Sequence, residues 1–567
     1  MKNECENQTV ALRVNAPNLV QQLRFGFASD TTVLGELMQN ARRAGATRVE
    51  FELDPEAREL RVKDDGCGIG SFDPLLAVAE SGWDPDLIER EHPFGMGFLS
   101  ALFACEHITV ESKGGRLAAP TRDLLAFKPV AVHPVQDAGN TVLTLRGFGL
   151  EPGLVERVLR RLAKGFPIEV LFNGAALERP KALTSGLEFL RTDIGQVHIP
   201  GFCGGSDLPW TQSSDRALVV YLQGLPVFQR GPDFAMDETL PARRTVVVHL
   251  DSSLFRARLP DRDKLRDEPQ ALALIRKALR GVAHERISAM KPVLEPAAFA
   301  EGYEAMLAWE CLDLLNDVPV LPAGLLRVID GYPIRDGLAT VNLELSAGSV
   351  AQADIESGAV KVVNLDSLET DGAPAWMYAW KRGFLVYWDA ALDSGHWLFR
   401  HLIDLTEPRV GVEIVGESRR ADFDDGLWVG GPVAFCRSYR LSLDGDSIEV
   451  DSEALYLESS DIDPDSPCGL FIVPAVETTG MVVRQASSYF DENDLFNETA
   501  CYGDQGAFAT FVLAHTASDP AMALGRLLPS FKGYASLAGR SFILSLDGQG
   551  KPSVRLASEQ EALEAAP

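Results

Sequence analysis

The chain has 567 residues, enough for roughly three or four domains at about 150 residues each. Hydrophobic residues make up 46% and charged residues 24%, a globular composition that excludes a disordered chain and a collagen-like fibre. Acids outnumber bases 81 to 53, a net charge of −28, and a field of that sign repels nucleic acid and anionic membrane.

Residues 10–14 (VALRV) alternate like a short strand, and Pro17 starts a helix to about Gly26. Thr31 or Thr32 offers an N-cap for a helix from Val33 to Ala44, with Leu34, Leu37, Met38 and Ala41 as its apolar stripe and Gly45 as its stop. RVEFEL (48–53) and ELRVKD (59–64) read as antiparallel strands joined at Asp54-Pro55. A glycine turn, a helix-like stretch at 73–80 and a polar loop at 82–92 follow. FGMGF (94–98) opens an apolar helix, and HITVES (107–112) reads as a strand. Strands at 141–145 and 168–172 flank an amphipathic helix at 151–164. Further strands at 217–222 and 245–250 precede a basic helix at 269–289.

The charge is uneven: residues 1–300 are close to neutral, whereas 301–567 carry 17 Lys+Arg and 42 Asp+Glu, a net of −25. That half mixes short strands, aromatics and acidic turns, including Asp461, Asp463 and Asp465, which lack the glycine and closing glutamate of a calcium loop. Eight cysteines without CxxC spacing indicate free thiols. The start MKNECENQTV lacks a secretion pattern and no apolar run approaches a membrane span, so the expectation is a soluble cytoplasmic protein without membrane contact.

Three segments bear chemistry. Glu36, Asn40 and Arg43 share a helix face; an amide oxygen is a hard ligand for Mg²⁺, and a carboxylate one turn away can deprotonate a water. The same pattern also occurs on ordinary polar helix faces. Asp65-Gly66-Cys67-Gly68-Ile69 follows a strand, where the glycines allow a tight turn and the acid can accept from an exocyclic amine; a plain hairpin turn has the same composition. Phe94-Gly95-Met96-Gly97-Phe98 opens a helix, whose unobstructed N–H groups suit phosphate. Its spacing is neither that of a Walker A loop nor that of a dinucleotide fingerprint.

In this order, ELMQNARRAGA, DDGCGI and FGMGFLSALFACEHITVESK closely resemble the GHKL ATPase superfamily (Bergerat-type ATP-binding fold) over residues ~10–180. The last run looks most like HtpG-type heat-shock chaperones, and the first two share features with MutL. The resemblance implies an α+β chain: a GHKL α/β sandwich over 1–182, an α/β transducer-like domain over 183–292, and a β-rich, mixed, acidic C-terminal region over 293–567. It implies ATP and Mg²⁺ as ligands, with Glu36 as general base and Asn40 as metal ligand. Asp65 takes the place of the adenine-reading acid, with Gly66, Gly68 and Ile69 shaping that pocket. Gly95, Met96, Gly97 and Phe98 take the place of the phosphate cradle. Residues 70–93, with Ser81-Gly82, match the lid.

Two positions depart from the family pattern. Arg43 stands where the family usually has Asp, and Gly139-Asn140, followed by Thr141, stands for Gly-Thr. The γ-phosphate needs a cation, and the lid offers only Arg90. In LPDRDKL (259–265), similar to the chaperones' middle-domain loop, Arg262 falls at the arginine, with Lys264 as fallback. Glu36 favours hydrolysis over phosphotransfer. The expected function is a Mg-ATP-hydrolysing conformational clamp, chaperone-like, acting on a protein client or partner and compatible with a homodimer. The alternatives are a DNA-linked machine of MutL or MORC type, disfavoured by the acidic half, and a nucleotide-gated signalling or defence scaffold.

Overall fold

The computed structural model describes residues 15, 20, 23, 31–77, 83–85, 88, 91, 97–136, 139–203, 217–230, 245–258, 262–330, 343–345, 348–365, 373–388, 390–406, 410–424, 426–457, 483 and 487–558. The expected strand at 10–14, Ser81-Gly82, Arg90, Gly95, Met96, Leu259-Pro260-Asp261 and the Asp461/Asp463/Asp465 run lie outside them. Of the expected helix at 17–26, helical Val20 and Leu23 are described. Two compact units divide the chain, Met1–Val318 and Pro319–Pro567, so residues 293–318 lie in the first.

The first unit opens with α1 (Thr32–Arg43) and the hairpin β1 (Arg48–Asp54) and β2 (Glu59–Asp64). A short α2 (Asp73–Leu76) precedes α3 (Gly97–Ala104). Then come β3 (His107–Ser112), β4 (Gly115–Pro120), α4 (Thr121–Leu125), β5 (Val132–Pro134) and β6 (Thr141–Arg146). The layer closes with α5 (Pro152–Ala163), β7 (Glu169–Phe172) and β8 (Ala175–Ala176). These strands form one open eight-stranded sheet in the order β5-β4-β3-β6-β2-β1-β7-β8. Among its described pairs only β1 with β7 is parallel.

Alternation decides the faces. Val49 and Phe51, Leu60 and Val62, Ile108 and Val110, and Leu143 and Leu145 are buried in one cluster with Leu34 and Met38 of α1, Leu102 of α3 and Leu159 of α5. The intervening residues turn outward, and Arg61 pairs with Glu52 across β1–β2 at 3.0 Å. The result is a two-layer sandwich with helices on one face.

A second open sheet follows: β9 (Leu190–Thr192), β10 (Gly195–His198), β11 (Ala217–Leu222), β12 (Leu225–Arg230) and β13 (Thr245–Leu250), ordered β12-β11-β13-β10-β9. The long α6 (Glu268–Met290) buries Ile275, Leu279, Ala283 and Ile287, one residue per turn. The β11–β12 turn, Gln223-Gly224, has both residues at positive φ, 53° and 83°, as a tight hairpin requires. It packs on the first layer: Leu225 joins the sandwich core, and a side chain on Gly224 would strike Pro167 and Phe166.

The second unit is mixed and open-sheeted, in keeping with the expected β-rich region. It contains a five-stranded sheet and three long antiparallel strands, Gly411–Phe423, Gly431–Leu443 and Asp446–Leu457. The aromatics Trp376, Tyr439 and Phe508 lie in its core. Buried Asp504 is satisfied structurally by the N–H groups of Leu427, Trp428 and Val429 and by the Tyr489 hydroxyl. Among the described residues no helix is long and apolar enough to cross a membrane.

Candidate active site

α1 is amphipathic, and its polar edge borders the core. Val33, Leu34, Leu37, Met38 and Ala41 are buried, and so are Glu36, Gln39 and Arg43, while Asn40 is half-buried at the margin. A buried carboxylate needs a partner. Glu36 has one in Arg262, which donates from Nε to Oε1 at 2.7 Å. The other oxygen, Oε2, lies against Gly97 at the start of α3. A side chain there would overlap Oε2 and come within 3.2 Å of the carboxyl carbon. Glycine at 97 is therefore a steric requirement of the site, met by the second glycine of FGMGF.

Arg262 arrives from a tight loop. The Arg258 N–H donates to the Lys264 carbonyl, the Arg266 N–H to that of Arg256, and the Arg262 N–H to that of Arg258. Arg262 holds a left-handed backbone, φ 56°, which is uncommon for a non-glycine residue. Its side chain is buried on Glu36, whereas Lys264 is exposed. Between the two candidates of the sequence reading, the structure brings Arg262 to α1 and leaves Lys264 in solvent.

The glycine turn differs from expectation in one respect. The Asp65 carboxylate is exposed and accepts from the Thr47 N–H at 2.8 Å, the Thr47 hydroxyl at 2.5 Å and the Arg48 N–H at 3.1 Å. Desolvation makes the carboxyl harder to ionise, but the hydrogen bonds from Thr47 and Arg48 prevail and hold it below the ordinary carboxylate range. It anchors the turn after α1 and does not face the sheet's helical side. The acid on that side is Asp64, which alternation places with Leu60 and Val62. Its register partner across β2–β6 is Thr141, which shares a face with Leu143 and Leu145. Thr141 Oγ1 lies 3.0 Å from Ser112 Oγ at the end of β3, and Ser112 Oγ accepts the Ile69 N–H at 2.9 Å.

Three adjacent strands thus end in Asp64, Thr141 and Ser112 on a face that is otherwise apolar, making a polar patch at the margin of the core. Burial pushes the Asp64 carboxyl up; the Gly66 N–H, bonded at 3.0 Å, opposes this, and the charge of Asp65 adds to it. Gly66 presses on Ala44, and Gly68, at φ 74°, on Ser112 and Lys113, so both glycines are needed for close approach. The spacing D-x-G-x-G, counted back from Gly66 and Gly68, falls on Asp64. Asn140 is half-buried beside Gly139, which takes φ 68°. Phe98 is buried in the core. Ser112 was not singled out from sequence, since a serine at a strand end carries no signal of its own.

A magnesium-nucleotide fits these residues. Among the described residues no group of three or more His, Cys, Asp or Glu forms a metal cluster. Mg²⁺ on a nucleotide takes one or two protein oxygens together with phosphates and waters, and the amide of Asn40, half-buried one turn from Glu36, is an oxygen donor of that kind.

Residues 28–124 match the family model described as histidine kinase-, DNA gyrase B-, and HSP90-like ATPase. The DNA mismatch repair protein MutL of Proteus mirabilis is 30% identical over 183 residues, and that of Yersinia pestis 27% over 180. The chain spans only about a quarter of these relatives' length: 27% of this chain aligns with 27% and 28% of theirs. The ATPase region of Saccharomyces cerevisiae topoisomerase II aligns at 12% identity over 41% of this chain and 76% of that one. Its TM-score is 0.28. The heat-shock-chaperone likeness expected from FGMGF is not carried by these relatives, whereas the MutL-like features are. Residues 28–124, which contain the three ordered motifs and the first strands of the two-layer sandwich, are thus similar to the histidine kinase-, DNA gyrase B- and HSP90-like ATPases.

Proposed function

We propose that this protein binds Mg-ATP in the first unit and hydrolyses it, using the cycle as a conformational clamp. The observation that carries the proposal is the Glu36 carboxylate, buried between Gly97 and Arg262. In this reading Asp64, rather than Asp65, accepts from the adenine amine, with Thr141 and Ser112 beside it and Gly66, Gly68 and Ile69 forming the wall. Asn140 lies next to that pocket. Gly95, Met96, Gly97 and Phe98 cradle the phosphates, and Asn40 gives its amide oxygen to Mg²⁺. When bound, the metal offsets charge on the phosphates.

Arg262 leaves Glu36 for the γ-phosphate, a stronger anion, and frees the carboxylate. Glu36 then takes a proton from a water whose oxygen bonds to the γ-phosphorus as the bond to the bridging oxygen breaks, giving ADP and phosphate. The clamp acts on a macromolecular partner, and a homodimer is its natural form. A DNA-linked role is the second reading, favoured by the MutL relatives and opposed by the −25 charge of residues 301–567. Steeply salt-dependent DNA binding supports it; client-dependent turnover without DNA supports chaperone-like remodelling.

The test is calorimetry and phosphate release for wild type, Glu36→Ala and Asn40→Ala. Glu36→Ala binds Mg-ATP and loses turnover; Asn40→Ala loses Mg-ATP binding. Normal hydrolysis by Glu36→Ala removes the base assignment, and absence of binding by folded wild type removes the function.

A further inference from the structure

The acid expected three residues after Asn40 is Arg43, and its side chain is 2% exposed. An acid from elsewhere in the chain answers it. Glu91 takes both terminal nitrogens of Arg42, at 2.9 and 2.5 Å, and Arg43 Nε at 3.1 Å. The same cluster holds the β11–β12 turn. Gln39 Nε2 donates to the Gln223 carbonyl at 2.8 Å, Arg43 Nη2 to Gln223 Oε1 at 3.4 Å, and Gln223 Nε2 to the Glu91 carbonyl at 3.5 Å. Arg42 Nε donates to Gln39 Oε1 at 2.9 Å, which closes the network. Three elements far apart in sequence, α1, Glu91 and the second sheet's hairpin, meet in one set of hydrogen bonds.

The position of Glu91 gives the cluster its meaning. Gly97, six residues later, sits against the Glu36 carboxylate. Glu91 and Gly97 thus both meet α1, at Arg42/Arg43 and at Glu36, seven residues or about 10 Å apart along the helix. Moving Glu91 shifts the start of the segment whose end abuts the candidate base. We propose that Arg43 and Glu91 are positioning residues that hold the chain leading to Gly97 on α1 at Glu91 and, through Gln223, make that hold depend on the seating of the β11–β12 hairpin. The inference rests on the ATPase reading and adds to it a named route by which nucleotide occupancy and the second sheet influence one another. Such coupling is reciprocal: disturbing the hairpin weakens nucleotide binding, and nucleotide steadies the hairpin.

Charge-assisted hydrogen bonds of this kind are the strong ones, and Lys cannot reproduce the two-sided reach of Arg43. The test uses Glu91→Gln, which keeps shape and removes charge, and Gln223→Gly, which suits the positive φ and removes the side chain. Arg43→Lys is the third variant. Each raises KM for ATP about tenfold, more than it lowers kcat. The Glu91→Gln/Gln223→Gly pair falls short of additivity, because both changes release one anchor. Amide exchange supplies a readout apart from turnover: a non-hydrolysable ATP analogue with Mg²⁺ slows exchange in residues 217–230 of wild type and not of Glu91→Gln. A cluster that merely stabilises the fold lowers the melting temperature and leaves KM and this protection unchanged. That outcome, with wild type binding nucleotide, overturns the inference and leaves the ATPase reading standing. Wild type that binds no nucleotide removes the reading, and the inference with it. Should Glu91→Gln not fold, Gln223→Gly carries the same measurements.

Discussion

Asp64 and Asp65 are neighbours in the chain with opposite surroundings. Asp64 stands on the helix-facing side of β2, half-buried beside Thr141 in the register; Asp65 is exposed and caps the Thr47–Arg48 backbone. Substituting each by Asn separates binding from architecture. Asp64→Asn weakens ATP affinity by tenfold or more, since the amide cannot accept as the carboxylate does. Asp65→Asn leaves affinity unchanged and costs about 1 kcal/mol of stability, the scale of a cap on exposed backbone. Titration calorimetry and urea denaturation of the two variants check both statements, and the reverse pattern would return the reading role to Asp65. The buried Glu36–Arg262 pair belongs to the same scale. Its geometry makes each residue the other's counter-charge in this structure, so removing either leaves a buried charge without its partner.

Among the elements, α3 is tightly constrained at its first residue. Alanine is a better helix former than glycine, so Gly97→Ala preserves α3 as a helix. The added methyl nevertheless occupies the space of Glu36 Oε2 and displaces the carboxylate. Displacing a catalytic group by about 1 Å costs on the order of a hundredfold in rate. Gly97→Ala is therefore expected to melt like wild type and to lose about two orders of magnitude in kcat, measured by phosphate release; wild-type kcat would mean that Glu36 is not the base. The β11–β12 hairpin shows the same economy at Gly224, where close approach to Pro167 and the left-handed backbone both require glycine.

At the scale of the first unit, stability carries a pH dependence centred on His249. The imidazole is buried, stacked on Tyr221 at 5.0 Å between ring centres, and bonded through Nε2 to the Lys181 carbonyl at 2.8 Å. Burial pushes it down to about 4 from an ordinary 6.5, with the Lys181 carbonyl acting in the opposite sense. Below pH 6.5 the unfolded chain takes a proton that the folded chain refuses until about pH 4. Stability present above 6.5 is thus lost as pH falls through this window, on the order of 3 kcal/mol at the limit. Denaturant midpoints at pH 7.5 and 5 for wild type and His249→Phe check it: the variant loses that part of the pH dependence, and equal slopes would remove His249 as its source.

The sequence by itself determined the first layer. The alternation of β1, β2 and β6, the apolar stripe of α1 and the two glycine turns are local patterns, and the elements formed where the patterns lay. The shared helix of Glu36 and Asn40 and the turns at Gly66, Gly68 and Gly97 were legible because helical spacing and glycine turns are encoded within a few residues. The tertiary structure decided what depends on contacts between distant segments. It separated Asp64 from Asp65 by strand parity, seated Arg262 on Glu36 across more than two hundred residues, added Ser112 to the polar patch, and gave Arg43 an acid in Glu91. The physical reason is range. Propensity and periodicity act along the chain, whereas the pairing of buried charges is fixed only when sheets and helices pack and remove water from between them.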